Sequence, residues 1–448
     1  MLRERALAYF RGSQKAFCTR VVVRLTLLLA LRVLVNPSAA ATETNAAMPL
    51  RLSLSQAQEI AYRSNWDLLA ARSEVDQALA QRWVAREFPN PTLSLNTSKI
   101  NANGNGNSTP TGNGIFGRSY DSVIAVNQLF EIGGKRSSRR ASANAGLQGA
   151  EARFMDARRV LALGVAKAYI DVLAAQASAE ILSQSAQSLR REAGIADARL
   201  KAGDISLVDK SQIEIEAEKL ELDASSASNS LAVAKISVEV LLGIKQPTGD
   251  WQPVDTIEDL TRENFHPNER GSLAQRPDMA AAEADVKKAE AEVKLQKAIR
   301  LPDPTLQLSY EHQPPGDPSH SIGIGLSFPL PLWNRNRGAI LVAEAAREKS
   351  RIQALKLEAE IAAEVTIAQR NYENASKRLQ RQTLEIEPKS AEIRKAVSAA
   401  YEKGGASLLD LLSAQRNDNQ VRLAKVQSAA DKASALAELK AALNFSFR

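Results

Sequence analysis

The sequence predicts a mainly α-helical chain with a small β part suited to a membrane, built from one strand-and-helix unit that occurs twice. Three observations support this fold class. A sequence repeat recurs at a spacing of about 200 residues, two pairs of segments alternate apolar and polar residues, and two helical stretches are very long.

The repeat sets the domain organisation. Residues 89–95 (PNPTLSL) return as residues 302–308 (PDPTLQL), and residues 201–209 (KAGDISLVD) return as residues 402–410 (EKGGASLLD). A long-period repeat of this kind predicts the architecture even before individual helices and strands are assigned. We therefore predict a first repeat at 42–245 and a second at 272–448. A linker or equatorial segment at 246–271, rich in Pro, Gly, Asp and Trp, separates them.

Residues 1–41 are predicted to be a signal peptide. A basic stretch precedes an apolar run at 21–35 and a small-residue tail at 39–41. Arg24 and Arg32 interrupt the apolar run, so a poor transmembrane anchor is the competing interpretation. Most of the formal net charge of +7 belongs to this segment, which argues against a nucleic-acid partner for the rest. The only cysteine, Cys18, also lies here, which excludes disulfides and thiolate sites from the mature chain.

Each predicted repeat begins with a helical segment, at 53–88 and 273–300, that a Pro-x-Pro pair stops. Strands follow at about 92–100 and 119–130, separated by an Asn/Gly-rich loop at 101–117, and in the second repeat at about 305–312 and 320–328. Their length of about ten residues is enough to cross a bilayer when tilted. The residues expected to face lipid are Leu306, Leu308, Tyr310, Ile322, Ile324 and Leu326.

The longest predicted helices cover 135–202 and, apart from Pro388, 338–403, and helices at 206–243 and 407–443 run back. At about 1.5 Å per residue the longest would reach roughly 100 Å, more than a compact domain needs. Four strands per chain cannot close a barrel, and open sheet edges are costly in lipid, so several chains must pool their strands. Two, three or four copies would give about 8, 12 or 16 strands.

The duplicated order of helix, strand, strand, long helix, tight turn and returning helix resembles the TolC family of outer-membrane efflux channels. Residues 328–338 (FPLPLWNRNRG) resemble its CzcC-like branch, which serves heavy-metal pumps of the resistance-nodulation-division (RND) type. The resemblance implies a homotrimer whose twelve-stranded β-barrel, in the outer membrane of a Gram-negative bacterium, stands on a long periplasmic α-helical barrel. It also implies a periplasmic adaptor (membrane fusion) protein, an inner-membrane RND transporter and outer-membrane lipid as partners.

The expected function is passive conduction of divalent heavy-metal cations, of the cobalt, zinc, cadmium or nickel class, out of the periplasm. One alternative is a similar duct for drugs, other solutes or type I secretion. An alternative of another class is a periplasmic coiled-coil scaffold without a channel. We expect no enzyme activity, cofactor or resident metal, because the sequence has no zinc motif, phosphate-binding loop or nucleophile signature. The histidines His266, His312 and His320 have no ligand-spaced companions.

The two helix-to-helix turns are predicted to form the periplasmic tip and to contact the adaptor through Gly203, Ser206, Gly404, Gly405 and Ser407. A glycine can end each first helix in left-handed geometry, and each serine can cap the next helix together with Asp209 or Asp410. Capping alone explains these aspartates. The functional alternative is that they also form, with Asp204, a cation-attracting entrance. The resemblance adds Tyr401 and Asp410 as gate residues, with Ala406 and Ser413 in place of a family arginine and acid.

A predicted corner between barrel and helices comprises Pro89, Pro91, Pro302, Pro304, Pro329, Pro331, Arg335 and Arg337. Further basic residues, Lys135, Arg136, Arg139 and Arg140, open the first long helix, where the helix dipole disfavours cations. Lipid phosphates are one possible partner for these charges, and solvent or local salt bridges are the other.

Overall fold

The computed structural model describes residues 49–98, 121–262, 276–312 and 320–445. The predicted signal peptide 1–41, the loop 101–117, residues 263–271 of the predicted linker and residues 272–275 of the second repeat lie outside the described residues. In chain order the elements are β1 (Arg51–Leu52), α1 (Leu54–Ser64), α2 (Trp66–Val84), β2 (Thr92–Ser98), β3 (Asp121–Leu129), α3 (Lys135–Ala202), α4 (Leu207–Leu241), β4 (Gln252–Pro253), α5 (Ile257–Arg262), α6 (Pro277–Ile299), β5 (Thr305–His312), β6 (His320–Ser327), α7 (Arg337–Arg381), a π-helical segment (Gln382–Ile386), α8 (Glu387–Glu402) and α9 (Leu408–Ala442).

The four long strands form one antiparallel sheet in the order β2-β3-β5-β6. Its register places Leu308 opposite Ile324, with Gln307 opposite Gly325 on the other face. The predicted separation of apolar from polar or small side chains is confirmed, and the apolar face is exposed, with Ile324 at 80%. Within the described residues β2 and β6 pair along one side only, so the sheet has two open edges. Such edges leave backbone groups unpaired and require a further strand in lipid.

The first predicted helix, 53–88, is two helices in the structure. Asn65 adopts an extended backbone (φ −63°, ψ 129°) and starts α2, where its side-chain oxygen accepts a hydrogen bond from the Leu68 N–H at 3.0 Å. An asparagine here competes with the helical backbone for hydrogen bonds and favours a new helix start. The break divides a predicted long helix into α1 and α2.

In both repeats, a side chain at the start of the helix that precedes the strands is hydrogen-bonded to the end of the returning helix. The Asn65 side-chain amide donates to the Leu241 carbonyl at 2.9 Å. In the second repeat the buried Arg276 precedes α6 and donates to the Ala442 carbonyl at 2.9 Å, while also pairing with Asp278 at 2.7 Å. Two different side chains therefore provide the same connection, which a search for identical residues would not reveal.

The second long helix departs from the prediction of one helix at 338–403. It consists of α7, the π-helical segment and α8, and the Glu387 N–H bonds to the Gln382 carbonyl, five residues back. Pro388 has no N–H and its ring clashes with a carbonyl of the preceding turn, so a wider turn accommodates it. The first repeat has no such proline, and α3 is an uninterrupted helix of 68 residues.

The described part of the predicted linker packs against α3. β4 pairs in parallel with β1, and Trp251 is buried and stacked on Tyr169 with ring centroids 6.0 Å apart. The Tyr169 hydroxyl lies 2.8 Å from the Leu52 carbonyl oxygen and 2.9 Å from Asp255 Oδ2. Burial of the ring raises the pKa of Tyr169. A buried polar contact thus holds the segment against the first repeat.

Candidate functional site

The two helix-to-helix turns have the same backbone geometry. Gly203 and Gly404 adopt left-handed conformations, with φ of +85° and +74°. The Asp204 N–H donates to the Arg199 carbonyl at 2.9 Å, and the Gly405 N–H donates to the Ala400 carbonyl at 2.8 Å. These bonds close the preceding helix in the arrangement that favours glycine at the left-handed position. In the second turn that position is Gly404, which resolves the choice between Gly404 and Gly405.

Both predicted capping boxes are present. Ser206 Oγ accepts from the Asp209 N–H at 3.1 Å, and Asp209 Oδ2 accepts from the Ser206 backbone N–H at 3.3 Å. In the second turn the Asp410 N–H donates to Ser407 Oγ at 3.2 Å, and Asp410 Oδ2 accepts from the Ser407 backbone N–H at 3.1 Å. The hydrogen bonds from Ser407 lower the pKa of Asp410, whose carboxylate is exposed.

The helical hairpin α3–α4 and the helical hairpin α8–α9 meet at the tip through a small apolar core. Its buried members are Leu189, Ala196, Ile213, Ala217, Leu408, Leu411 and Leu412. Tyr401 is half-buried against this core, and the Arg199 guanidinium carbon lies 5.3 Å above its ring centroid, within cation–π range. Sequence analysis missed Arg199, because no local pattern links two residues so far apart in the chain. The gate candidate Tyr401 therefore has an arginine partner, Arg199, at a position that the resemblance did not indicate.

Ion pairs also hold the tip helices together. Arg416 on α9 makes a bidentate pair with Glu216 on α4, at 2.7 Å and 2.8 Å. The hydrogen bond from Arg416 lowers the pKa of Glu216. Arg394 Nε lies 3.0 Å from Oδ2 of the buried Asp418. The Arg416–Glu216 pair thus joins the two repeats, whereas the Arg394–Asp418 pair joins α8 to α9 within the second repeat.

The predicted corner is built around the end of β3. The Gln128 side chain donates to the Pro89 carbonyl at 3.0 Å, and the Phe130 N–H donates to the Pro304 carbonyl at 2.9 Å. Pro91 also lies between α2 and β2, Pro302 between α6 and β5, and Pro329 and Pro331 between β6 and α7. The corners of the two repeats therefore contact each other at the junctions between strands and helices.

Three of the basic residues near the start of α3 have protein partners. Lys135 is buried and its Nζ lies 2.6 Å from Asp303 Oδ1. Arg136 donates to the Arg86 carbonyl at 2.6 Å, and Arg139 pairs with Glu131. The structure favours local salt bridges and carbonyl contacts over lipid phosphates for these three. Arg140, Arg335 and Arg337 are exposed and remain candidates for lipid contact.

Two histidines that sequence analysis treated as isolated are neighbours in the sheet. His312 on β5 is the register partner of His320 on β6, and their Nδ1 atoms are 3.3 Å apart. The Tyr310 hydroxyl lies 2.6 Å from His320 Nδ1. Strand pairing therefore brings together two histidines that have no ligand-spaced companions in the sequence, while His266 lies outside the described residues. No group of three or more His, Cys, Asp or Glu residues suited to a metal occurs in the described part of the chain.

Comparison with known proteins gives a family and several relatives. The sequence profile described as outer membrane efflux protein matches residues 58–244 and 270–444. The cobalt-zinc-cadmium resistance protein CzcC of Cupriavidus metallidurans is 27% identical over 374 residues, covering 83% of this chain and 85% of the relative. The nickel and cobalt resistance protein CnrC of the same organism is 25% identical over 296 residues, 66% of each chain.

A relative with a different named cargo and a solved structure are also similar. The pyoverdine export outer membrane protein OpmQ of Pseudomonas putida is 25% identical over 390 residues, covering 83% of this chain and 82% of the relative. A crystal structure of CusC matches with a TM-score of 0.74 at 18% identity, covering 88% of this chain and 92% of that chain. This structural likeness shows that the fold is shared.

Proposed function

Because the chain belongs to the outer membrane efflux protein family, we propose that it is the outer-membrane channel of a tripartite RND-type efflux system and conducts divalent heavy-metal cations. The observation that supports this choice of cargo is the similarity to CzcC along most of both chains. The proposed cations are those of the cobalt, zinc, cadmium or nickel class. Conduction is passive, and the inner-membrane RND transporter supplies the energy.

The open sheet supports the proposal that the working unit is an oligomer. Both outer strands, β2 and β6, lack a partner on one side within the described residues. Pairing between chains would satisfy these edges and place the exposed apolar face, including Leu308 and Ile324, against lipid. We propose a homotrimer with about twelve strands, the number that the TolC resemblance implies.

The tip supports a cation entrance that meets the adaptor. Asp204 and Asp410 are exposed beside the turns, where three copies would concentrate negative charge. The capping box with Ser407 holds the Asp410 carboxylate in a fixed position beside the second turn. An entrance of this kind would attract cations without binding any one of them tightly.

A deletion strain tests the cargo. Loss of the gene should lower the concentrations of cobalt, zinc, cadmium or nickel ions that the bacterium tolerates, and the wild-type gene should restore them. The Ile324→Arg variant, designed to block membrane assembly, is the control that should not restore tolerance. Unchanged metal tolerance, together with reduced export of a siderophore or drug, would instead support the second candidate, a solute duct like OpmQ, which the similarity to that protein favours.

A further inference from the structure

We propose that His312 and His320 together bind one divalent transition-metal ion at the end of the β5–β6 hairpin. The two residues face each other across the strands, with Nδ1 atoms 3.3 Å apart and ring centroids 4.9 Å apart. Two imidazole nitrogens that bind one tetrahedral ion at 2.0–2.1 Å are themselves about 3.4 Å apart. The two nitrogens therefore already stand at the spacing of two ligands of one ion.

The donors determine which ions this pair would accept. Imidazole nitrogen favours Cu²⁺, Ni²⁺ and Zn²⁺, whereas Mg²⁺ and Ca²⁺ prefer oxygen ligands. The Tyr310 hydroxyl also lies 2.6 Å from His320 Nδ1, so a third polar group converges on the same point. The two imidazole rings are nearly parallel, at 19°, and must turn so that both lone pairs aim at the ion. Water would complete the coordination.

The site lies away from both the helices and the polar face of the sheet. The opposite strand ends, Thr305 and Ser327, lead to α6 and α7, so the histidines mark the distal end of the hairpin. By strand alternation they share the exposed face with Leu308 and Ile324, while Gln307 and Ser309 occupy the other face. An ion here would link β5 to β6. It would lie on the opposite face of the sheet from a conduction path along the polar face. The inference is therefore independent of the cargo proposed above.

Copper binding to the purified oligomer tests the site. The full chain, prepared with a histidine-free tag, would be titrated with Cu²⁺ alone, and the bound ion examined by electron paramagnetic resonance. We expect one Cu²⁺ per chain with two nitrogen ligands. His312→Ala and His320→Ala should each weaken binding by roughly tenfold or more, since even a group that only orients a metal ligand can contribute that much. His266→Ala, which alters the third of the three histidines in the chain, is the matched control and should bind as the wild type does.

Two results would overturn the proposal. One is wild-type affinity in either His312→Ala or His320→Ala, and the other is failure of the wild type to bind Cu²⁺ with two nitrogens. In either case the pair is a stacked aromatic contact only. Electrophoresis without heating checks that each variant keeps its oligomer. Because Cu²⁺ binds imidazole more tightly than Zn²⁺ or Ni²⁺ does, a large excess of Zn²⁺ or Ni²⁺ should displace it, whereas the same excess of Mg²⁺ should not. Displacement by Mg²⁺ would contradict the ion class.

Discussion

Gly243 brings the end of α4 against the backbone between α1 and α2 more closely than a side chain permits. Its φ is +79°, and a Cβ atom there would lie 2.1 Å from the Ser64 carbonyl oxygen. Ser64 and Asn65 donate to the last carbonyls of α4 at the same place, so the contact fixes how the returning helix meets the start of its repeat. The backbone requires glycine here for both conformation and space.

Gly243→Ala should therefore destabilise the protein by more than the 1–2 kcal/mol or so that left-handed geometry alone costs. Gly194→Ala is the matched control, because Gly194 lies in α3 with nothing within 4 Å of a built Cβ atom. Helix propensity predicts that the control gains about 0.5–1 kcal/mol. Thermal unfolding followed by circular dichroism measures both. Equal midpoints for the two variants would contradict the role of the Ser64 contact.

Asp410 allows the capping role to be separated from the entrance role. Asp410→Asn removes the charge, and we expect it to lower cation conductance without loss of the oligomer, because an exposed carboxylate at a narrow entrance attracts cations. Asp209→Asn is the companion variant. Ser407→Ala is the control, since it removes the cap, worth about 1 kcal/mol, and retains the charge. Single-channel recording at low salt, where screening is weakest, measures conductance. Unchanged conductance in both aspartate variants would leave capping alone.

Asp410 should also make the stability of the protein depend on pH. Because hydrogen bonds from Ser407 lower the pKa of Asp410 in the folded protein, the associated stability is present above the unfolded pKa. It is lost as the pH falls through the lowered folded pKa. Unfolding measured across this acidic range should therefore show a steeper loss for the wild type than for Asp410→Asn. Parallel curves would mean that the capping hydrogen bonds do not favour the ionised form.

At the scale of elements, local patterns determined much of the prediction. Alternation along β5 and β6 gave the two faces of the sheet, and the absence of breaking residues gave α3 over 135–202. The break at Asn65 was missed because a single capping residue interrupted an otherwise helical pattern. Arg276 contacts the distant Glu364, and the partners of Lys135 and Arg199 also lie far away in the chain. A single sequence carries no signal for such contacts.

The apolar face of β6 yields a prediction about membrane assembly. Ile324 is 80% exposed within the chain, and an arginine there should cost about 2–4 kcal/mol near the middle of a bilayer. Ile324→Arg should lower the yield of oligomer in the outer membrane. Gln307→Arg is the matched control, because Gln307 lies on the opposite face of the adjacent strand. Electrophoresis of unheated membrane extracts measures the yield, and similar losses in both variants would count against lipid on the apolar face.

At the scale of the whole molecule, the duplicated unit places equivalent segments of the two repeats side by side. α3 and α4 form one hairpin, α8 and α9 end the other, and both turns meet over a shared apolar core. The strands of the two repeats meet in one sheet at the other end of the long helices. Sequence repetition predicted this arrangement because equivalent segments fold alike. The core that joins the turns depended on contacts between repeats and was visible only in the structure.

The adaptor should contact the turns and not the segment between β2 and β3. A helix of 68 residues, at about 1.5 Å per residue, places Gly203 roughly 100 Å from the start of α3. Photo-cross-linking residues at Asp204 and Gly405, both exposed beside the turns, should therefore capture the adaptor in cells. The control is Asn105→Cys in the predicted outer loop, which should react with a membrane-impermeant thiol reagent in intact cells. Since Cys18 lies in the predicted signal peptide, the new cysteine would be the only thiol of the mature chain. External labelling of Asp204→Cys, with adaptor capture at position 105, would invert the proposed topology.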